Sequence, residues 1–189
     1  TIKEIRPTAM CSVPRFWEKV YAGVQEVINN STGVKKTLMQ DAVKVGLEHN
    51  VNYVCKGLTP PMWLHMKYKF YEKTIFSLLK KTLGLERGAF FPTAGAAIPP
   101  AVQEFILSVG INMVAGYGLP ESIATVSCEN NFDHKIGSVG KLMPHMQIKF
   151  GENDEILLKG PAITQGYYKK EAATKASFTE DGWFRTGDA

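Results

Sequence analysis

The chain has no run of eighteen apolar residues, so it offers no sequence candidate for a membrane-spanning helix. It is also poor in cysteine. Cys11, Cys55 and Cys128 are odd in number and widely spaced, with no Cys-x-x-Cys pair and no metal-ligand spacing to His49, His65, His134 or His145. They read as reduced, mostly buried thiols of a cytoplasmic protein. A charge excess is missing too: 22 Lys plus Arg against 18 Asp plus Glu leave +4, too little to imply nucleic acid without a concentrated patch. Neither a signal peptide nor an initiator Met opens the chain at Thr1-Ile2-Lys3-Glu4-Ile5, which is therefore expected to begin inside a longer protein. There is no internal repeat and no low-complexity tract. What is present is 189 residues at 44% hydrophobic, enough for one full core or two small ones.

Residues 8–14 read as a short buried strand closed by Pro14. Over 16–28, Phe16, Val20, Val24 and Val27 or Ile28 recur at helical spacing. A turn at 29–33 leads to a second helix over 34–49, with Leu38, Ala42, Val45 and His49 on one stripe. Pro60 and Pro61 break the chain and open a helix over 62–83. Its apolar stripe is Leu64, Tyr68, Tyr71, Ile75, Leu78 and Leu79, with Lys69, Lys73 and Lys80 opposite. A solvated face is the ordinary reading of those lysines; peripheral contact with a membrane surface or an acidic partner is the functional one.

From Ala89 the texture changes. A strand over 89–93 runs into the small residues 94–97, Pro99 and Pro100 open a short helix that Gly110 stops, and 111–117 is the next strand. Strand, helix and strand with tight joints make a βαβ unit and predict a parallel pair. Beyond His134 the chain turns β-rich, with a hairpin of 147–150 and 155–159, a third strand over 164–168, a helix over 170–177 and a turn at 180–182. The expected class is α/β: an α/β subdomain over 1–134, then a β-rich subdomain over 135–189. A sheet cut short leaves open edges and apolar faces, so self-association is expected.

Two loops follow strand ends of the proposed parallel pair, where open α/β sheets bind ligands. Ala94, Gly95, Ala96 and Ala97 let backbone approach a flat ligand closely. Tyr117 can stack on it, Gly118 removes a Cβ beside it, and Glu121 offers a hard oxygen to a Mg2+ ion held on phosphates. Each feature has a plainer reading: a turn, a packed ring, and a carboxylate complementing a helix start.

The order of motifs goes further. Tyr117-Gly118-Leu119-Pro120-Glu121 is followed by Gly137-Ser138-Val139-Gly140-Lys141, Glu155-Ile156-Leu157-Leu158-Lys159-Gly160-Pro161, Gly166-Tyr167-Tyr168 and Gly182-Trp183-Phe184-Arg185-Thr186-Gly187-Asp188. This series resembles the adenylate-forming ligase superfamily. The stretch Val13-Pro14-Arg15-Phe16-Trp17-Glu18-Lys19 and the long helical region after it are similar to its long-chain acyl-CoA synthetase branch. The resemblance implies part of the large N-terminal domain of an AMP-forming ligase that uses ATP, a long-chain fatty acid and coenzyme A, with Mg2+. It implies that residues 94–97 line the adenine, Tyr117 stacks on it, Glu121 is the catalytic Mg2+ ligand and Asp188 grips both ribose hydroxyls. Gly166, Tyr167, Gly182 and Trp183 are expected to hold the β-rich part together.

Pro120 departs from the pattern, standing where the superfamily usually has a threonine whose hydroxyl bonds a phosphate. Proline has neither hydroxyl nor N–H to offer. The superfamily's Ser/Thr/Gly-rich phosphate loop and its mobile C-terminal domain with the adenylation lysine are not among these residues. The chain is therefore expected to be a central piece of a larger enzyme, inactive alone. A ligase for another carboxylic acid and a non-catalytic nucleotide-binding module stay open; Pro120 favours the module, while Glu121 and Asp188 oppose it.

Overall fold

The computed structural model describes residues 1–130 and 134–189. These residues form two compact units: Thr1–Gly116 with Glu129–Gly140, and Tyr117–Cys128 with Lys141–Ala189. The division differs from the single cut expected after residue 134, because 117–128 belongs with the later residues and 129–140 with the earlier ones.

Unit 1 opens with α1 (Ile2–Ile5), α2 (Pro14–Asn30) and α3 (Gly33–Gly46). Pro14 sits in the first turn of α2, where its missing N–H costs nothing. The residues expected as a strand over 8–14 make only isolated parallel bridges, Ala9 to Phe90 and Ser12 to Thr93. Pro92 lies between those bridges and has no N–H to give to that edge. After α3 the helix widens into a π-helix over Leu47–Tyr53, extending well past the expected end at residue 49.

The helix expected over 62–83 is α4 (Met62–Tyr71), a π-turn (Glu72–Phe76) and α5 (Ser77–Leu83). The wider turn advances the helical phase. Leu64, Tyr68 and Tyr71 are buried as expected, but beyond the turn Phe76 faces the core while Leu78 is 65% exposed. Lys80 leaves the basic face as well: its ammonium donates to the Gly110 carbonyl at 3.4 Å, and burial lowers its pKa. Strand β1 (Phe91–Thr93), α6 (Pro100–Ser108) and β2 (Met113–Tyr117) complete the βαβ unit, with Phe91, Pro92 and Thr93 paired in parallel to Met113, Val114 and Ala115. Among the described residues no helix is long and apolar enough to cross a membrane.

Two polar knots fix this unit. The Trp17 indole is fully buried and shares its N–H between Ser12 Oγ and Thr93 Oγ1, both at 2.8 Å. The buried Glu129 carboxylate accepts from Gln103 Nε2, the Ala115 N–H, His134 Nδ1 and the Lys135 N–H at 2.8–3.2 Å. A buried carboxylate is tolerated only with such a set of donors.

Unit 2 holds β3 (Ser127–Cys128) antiparallel to β4 (Lys141–Leu142), then β5 (Gln147–Phe150), β6 (Ile156–Lys159), α7 (Glu171–Ala176) and β7 (Phe184–Arg185). The expected hairpin is β5–β6, paired antiparallel from Gln147–Lys159 to Phe150–Ile156. The third strand is β7, paired to β6, and not 164–168. That stretch is a loop in which Gly166 has φ +140° and the Thr164 N–H is taken by the Glu121 carbonyl. Val126, Met146 and Leu158 form the buried core of this unit.

Trp17→Phe removes the indole donor and leaves a void. It is expected to lower unfolding free energy by about 2–3 kcal/mol in urea denaturation.

Candidate functional site

In unit 1 the small-residue loop is set by what precedes it. Thr93, buried at the end of β1, is pinned by Trp17, and the Ala94 N–H donates to the Ser12 carbonyl at 3.3 Å. Gly95 follows in a left-handed conformation (φ +94°), which explains glycine there. Gly95, Ala96 and Ala97 are exposed, with backbone open to an approaching ligand.

In unit 2, Tyr117 and Asp188 meet although 71 residues separate them. The phenol donates to Asp188 Oδ2 at 2.6 Å. Each partner is held by its own backbone: the Val126 N–H donates to the Tyr117 carbonyl, and the Ile156 N–H to the Asp188 carbonyl, both at 2.8 Å. The Asp188 N–H donates to Thr186 Oγ1 at 3.0 Å. Burial, and then the carboxylate beside it, push the Tyr117 phenol up to about 12. Only one of Asp188's oxygens is engaged by the phenol, and an ionised carboxylate has about four acceptor positions, so capacity for a vicinal diol is left.

Gly118 is explained by the protein itself. A Cβ there would stand 2.0 Å from the Ala124 carbonyl oxygen, so backbone crowding demands glycine at this position. The crowding coincides with two left-handed non-glycine residues, Ile123 (φ 51°) and Ala124 (φ 70°), a costly conformation for a β-branched side chain. Pro120 begins the single 3-10 turn that carries Glu121 (Pro120–Ser122). The Ser122 hydroxyl closes this turn by bonding the Leu119 N–H and carbonyl, both at 3.0 Å, so it does not replace the hydroxyl that Pro120 lacks.

Glu121 is half-buried, and its Oε1 accepts the Tyr167 phenol at 3.0 Å. Among the described residues no group of three or more His, Cys, Asp or Glu could cage a metal ion. A lone carboxylate with a free oxygen fits Mg2+ only in the manner of nucleotide sites, where substrate phosphates and water supply most ligands. Tyr167 was expected to serve the β-rich fold, and its grip on Glu121 was missed. A polar pair 46 residues apart leaves no periodicity to read.

Unit 1 also contains an apolar cavity of about 670 Å3 among α2, α3 and α5, lined by Phe16, Val24, Leu38, Ile75, Leu79 and Phe105 among others. Its only charged lining residues are Lys19 and Lys35.

The AMP-binding enzyme family matches residues 1–168. The chain belongs to that family. It is 35% identical to the long-chain-fatty-acid–CoA ligase ACSBG2 of Xenopus laevis, over all of the chain and 26% of that protein. It is 30% identical to the peroxisomal long chain acyl-CoA synthetase 7 of Arabidopsis thaliana, over 97% of the chain and 27% of that protein. The chain thus spans about a quarter of the length of these relatives. Among solved structures, unliganded o-succinylbenzoate CoA synthetase of Bacillus subtilis superposes with TM-score 0.56 at 18% identity, over 99% of the chain and 30% of that one, and shows the shared fold. The same enzyme with its acyl-adenylate intermediate gives TM-score 0.50 at 27% identity over 55% of the chain and 23% of that one. As an AMP-binding family member the chain has the mixed α/β architecture expected, with a parallel pair and a separate antiparallel sheet. Asp188 lies outside the matched residues, so its place beside Tyr117 comes from the geometry.

Spectrophotometric titration of the Tyr117 phenol checks this electrostatic account. Its raised folded value contributes stability that is complete below the free phenol value near 10 and is lost as pH climbs through about 12. Asp188→Asn is expected to bring the phenol down but not back to the free value, because burial, the larger cause, remains.

Proposed function

We propose that the chain is the nucleotide-holding part of an AMP-forming long-chain fatty acid–CoA ligase. The full enzyme joins a fatty acid to coenzyme A at the expense of ATP, releasing AMP and pyrophosphate. The carboxylate attacks the α-phosphorus and pyrophosphate leaves; the thiol then attacks the acyl carbon and AMP leaves. The observation that carries the reading is the Tyr117–Asp188 bond at 2.6 Å. It places an aromatic ring and an acceptor carboxylate side by side, as a nucleoside needs for its base and its diol.

In this reading Tyr117 stacks on adenine and Asp188 accepts both ribose hydroxyls. Glu121 would hold Mg2+ in place of the Tyr167 phenol, and the ion would supply neutralisation of phosphate charge. Bringing one anion onto a polyanion makes positioning and charge neutralisation the main catalytic contributions.

The relatives named for long-chain fatty acids support that acid class. So does the cavity of unit 1, whose walls are alkyl and aromatic and whose volume falls within the roughly 300–1,000 Å3 of small-molecule pockets. Cytoplasmic residence with peripheral membrane contact completes the reading. Exposed Trp63, Met66 and Phe70 on α4, with Lys73 beyond them, support the contact.

The test is pyrophosphate release by the full-length enzyme across acid chain lengths, with AMP affinity measured in parallel. Turnover should be greatest with long saturated acids, and Asp188→Asn should weaken AMP by about ten- to a hundredfold, as loss of a charge-assisted hydrogen bond does. Turnover confined to aromatic acids contradicts the substrate class. Unchanged AMP affinity contradicts the site.

A further inference from the structure

The apolar cavity of unit 1 has two features that packing of the protein against itself does not explain. The first is Gly23. It lines the cavity from inside α2, with helix on both sides, and glycine is among the poorest helix formers. No atom lies within 4 Å of where its Cβ would stand, so no neighbour demands glycine there. What the missing side chain does is keep the middle of the α2 wall open.

The second feature is charge. Lys19 and Lys35 line the cavity, both exposed, and neither has a hydrogen bond or ion pair to another described residue. A lysine lays its stem along apolar surface and keeps its ammonium in water, so each brings an unpaired cation to the edge of an alkyl wall. The apolar lining reaches the surface as well: Val27, Leu38 and Leu78 are 51%, 42% and 65% exposed. Shape limits the ligand further. Lining residues run along α2 from Phe16 to Ile28, about 18 Å of helix. A slot of that length suits an unbranched chain better than a compact ring.

We propose that this cavity binds one long-chain fatty carboxylate, its chain along α2 over Gly23 and its carboxylate on the ammonium of a lining lysine. The choice of acid rests on the ligase reading; the site rests on the cavity alone. Burial of the chain supplies the affinity, roughly fourfold for each methylene taken out of water. The ammonium contributes selection more than strength. An exposed ion pair adds only about two- to fivefold, but it favours an anionic head over a neutral one. Gly23→Leu fills the slot from the α2 side, in a helix that accepts leucine more readily than glycine.

The test is photolabelling of the full-length enzyme with dodecanoate that carries a diazirine on its chain, the labelled residues being mapped by mass spectrometry. Label should fall on α2, α3 and α5. Unlabelled dodecanoate should compete about tenfold better than decanoate, and about two- to fivefold better than dodecanol. Gly23→Leu should cut the label there at least tenfold. Lys19→Gln combined with Lys35→Gln should remove the advantage of acid over alcohol. Label only elsewhere, as when another segment of the protein fills the groove, undiminished label in Gly23→Leu, or equal competition by dodecanol would overturn the site. If Gly23→Leu does not fold, the competition series on the unsubstituted enzyme decides alone. Turnover of long-chain acids with no label on these helices would reject this site and leave the ligase reading intact.

Discussion

The hydrogen bond from the Tyr117 phenol to the Asp188 carboxylate is the contact on which the proposed nucleotide site in unit 2 depends. It is short, partly shielded from water and charge-assisted, the class of hydrogen bond that contributes most when both partners are preorganised. Both partners are preorganised by backbone. Tyr117 is tied through its carbonyl to Val126, and Asp188 through its carbonyl to Ile156 at the start of β6. The ring therefore has a defined edge, engaged by Asp188, and the carboxylate keeps acceptor positions for a ligand. Burial, and then this contact, raise the phenol's pKa.

The crowded turn after Tyr117 has its own logic. Gly118 admits the Ala124 carbonyl, and Ile123 and Ala124 take left-handed conformations to bring it there. Strain of this kind persists where surrounding bonds over-determine the backbone, here the Ser122 hydroxyl across Leu119 and the Glu121 carbonyl on the Thr164 N–H. Glu121 is presented from that turn, and Tyr167 engages its carboxylate. Pro120 suits the start of such a turn, which gives this position a backbone role where a phosphate-binding hydroxyl was expected.

Much of this was legible in the residues. The βαβ unit, the proline-opened helices and the β5–β6 hairpin follow from periodicity and turn chemistry, and each lies within a few residues of its expected place. What failed to show was phase. The π-turn over Glu72–Phe76 puts Phe76 in the core and Leu78 in solvent, and no local signal in 62–83 marks it. On α2 the expected stripe holds at Val20 and Ile28 but omits the fully buried Trp17, whose indole partners come from Ser12 and the distant Thr93. Tyr167 and Tyr168 read as strand residues from aromatic β-propensity, yet Gly166 at φ +140° and the Glu121 bond make them loop. Of the candidate site, the pairing of Tyr117 with Asp188 was accessible only through the order of motifs along the chain. Spacing alone says nothing about a contact across 71 residues.

The most direct test is a double-mutant cycle in unfolding free energy with Tyr117→Phe, Asp188→Asn and the pair. The account predicts a coupling of about 1.5–3 kcal/mol, the range of a hydrogen bond to a charged group. Additive single substitutions, with no coupling beyond about 0.5 kcal/mol, would mean that the phenol and the carboxylate do not meet in solution and would contradict it.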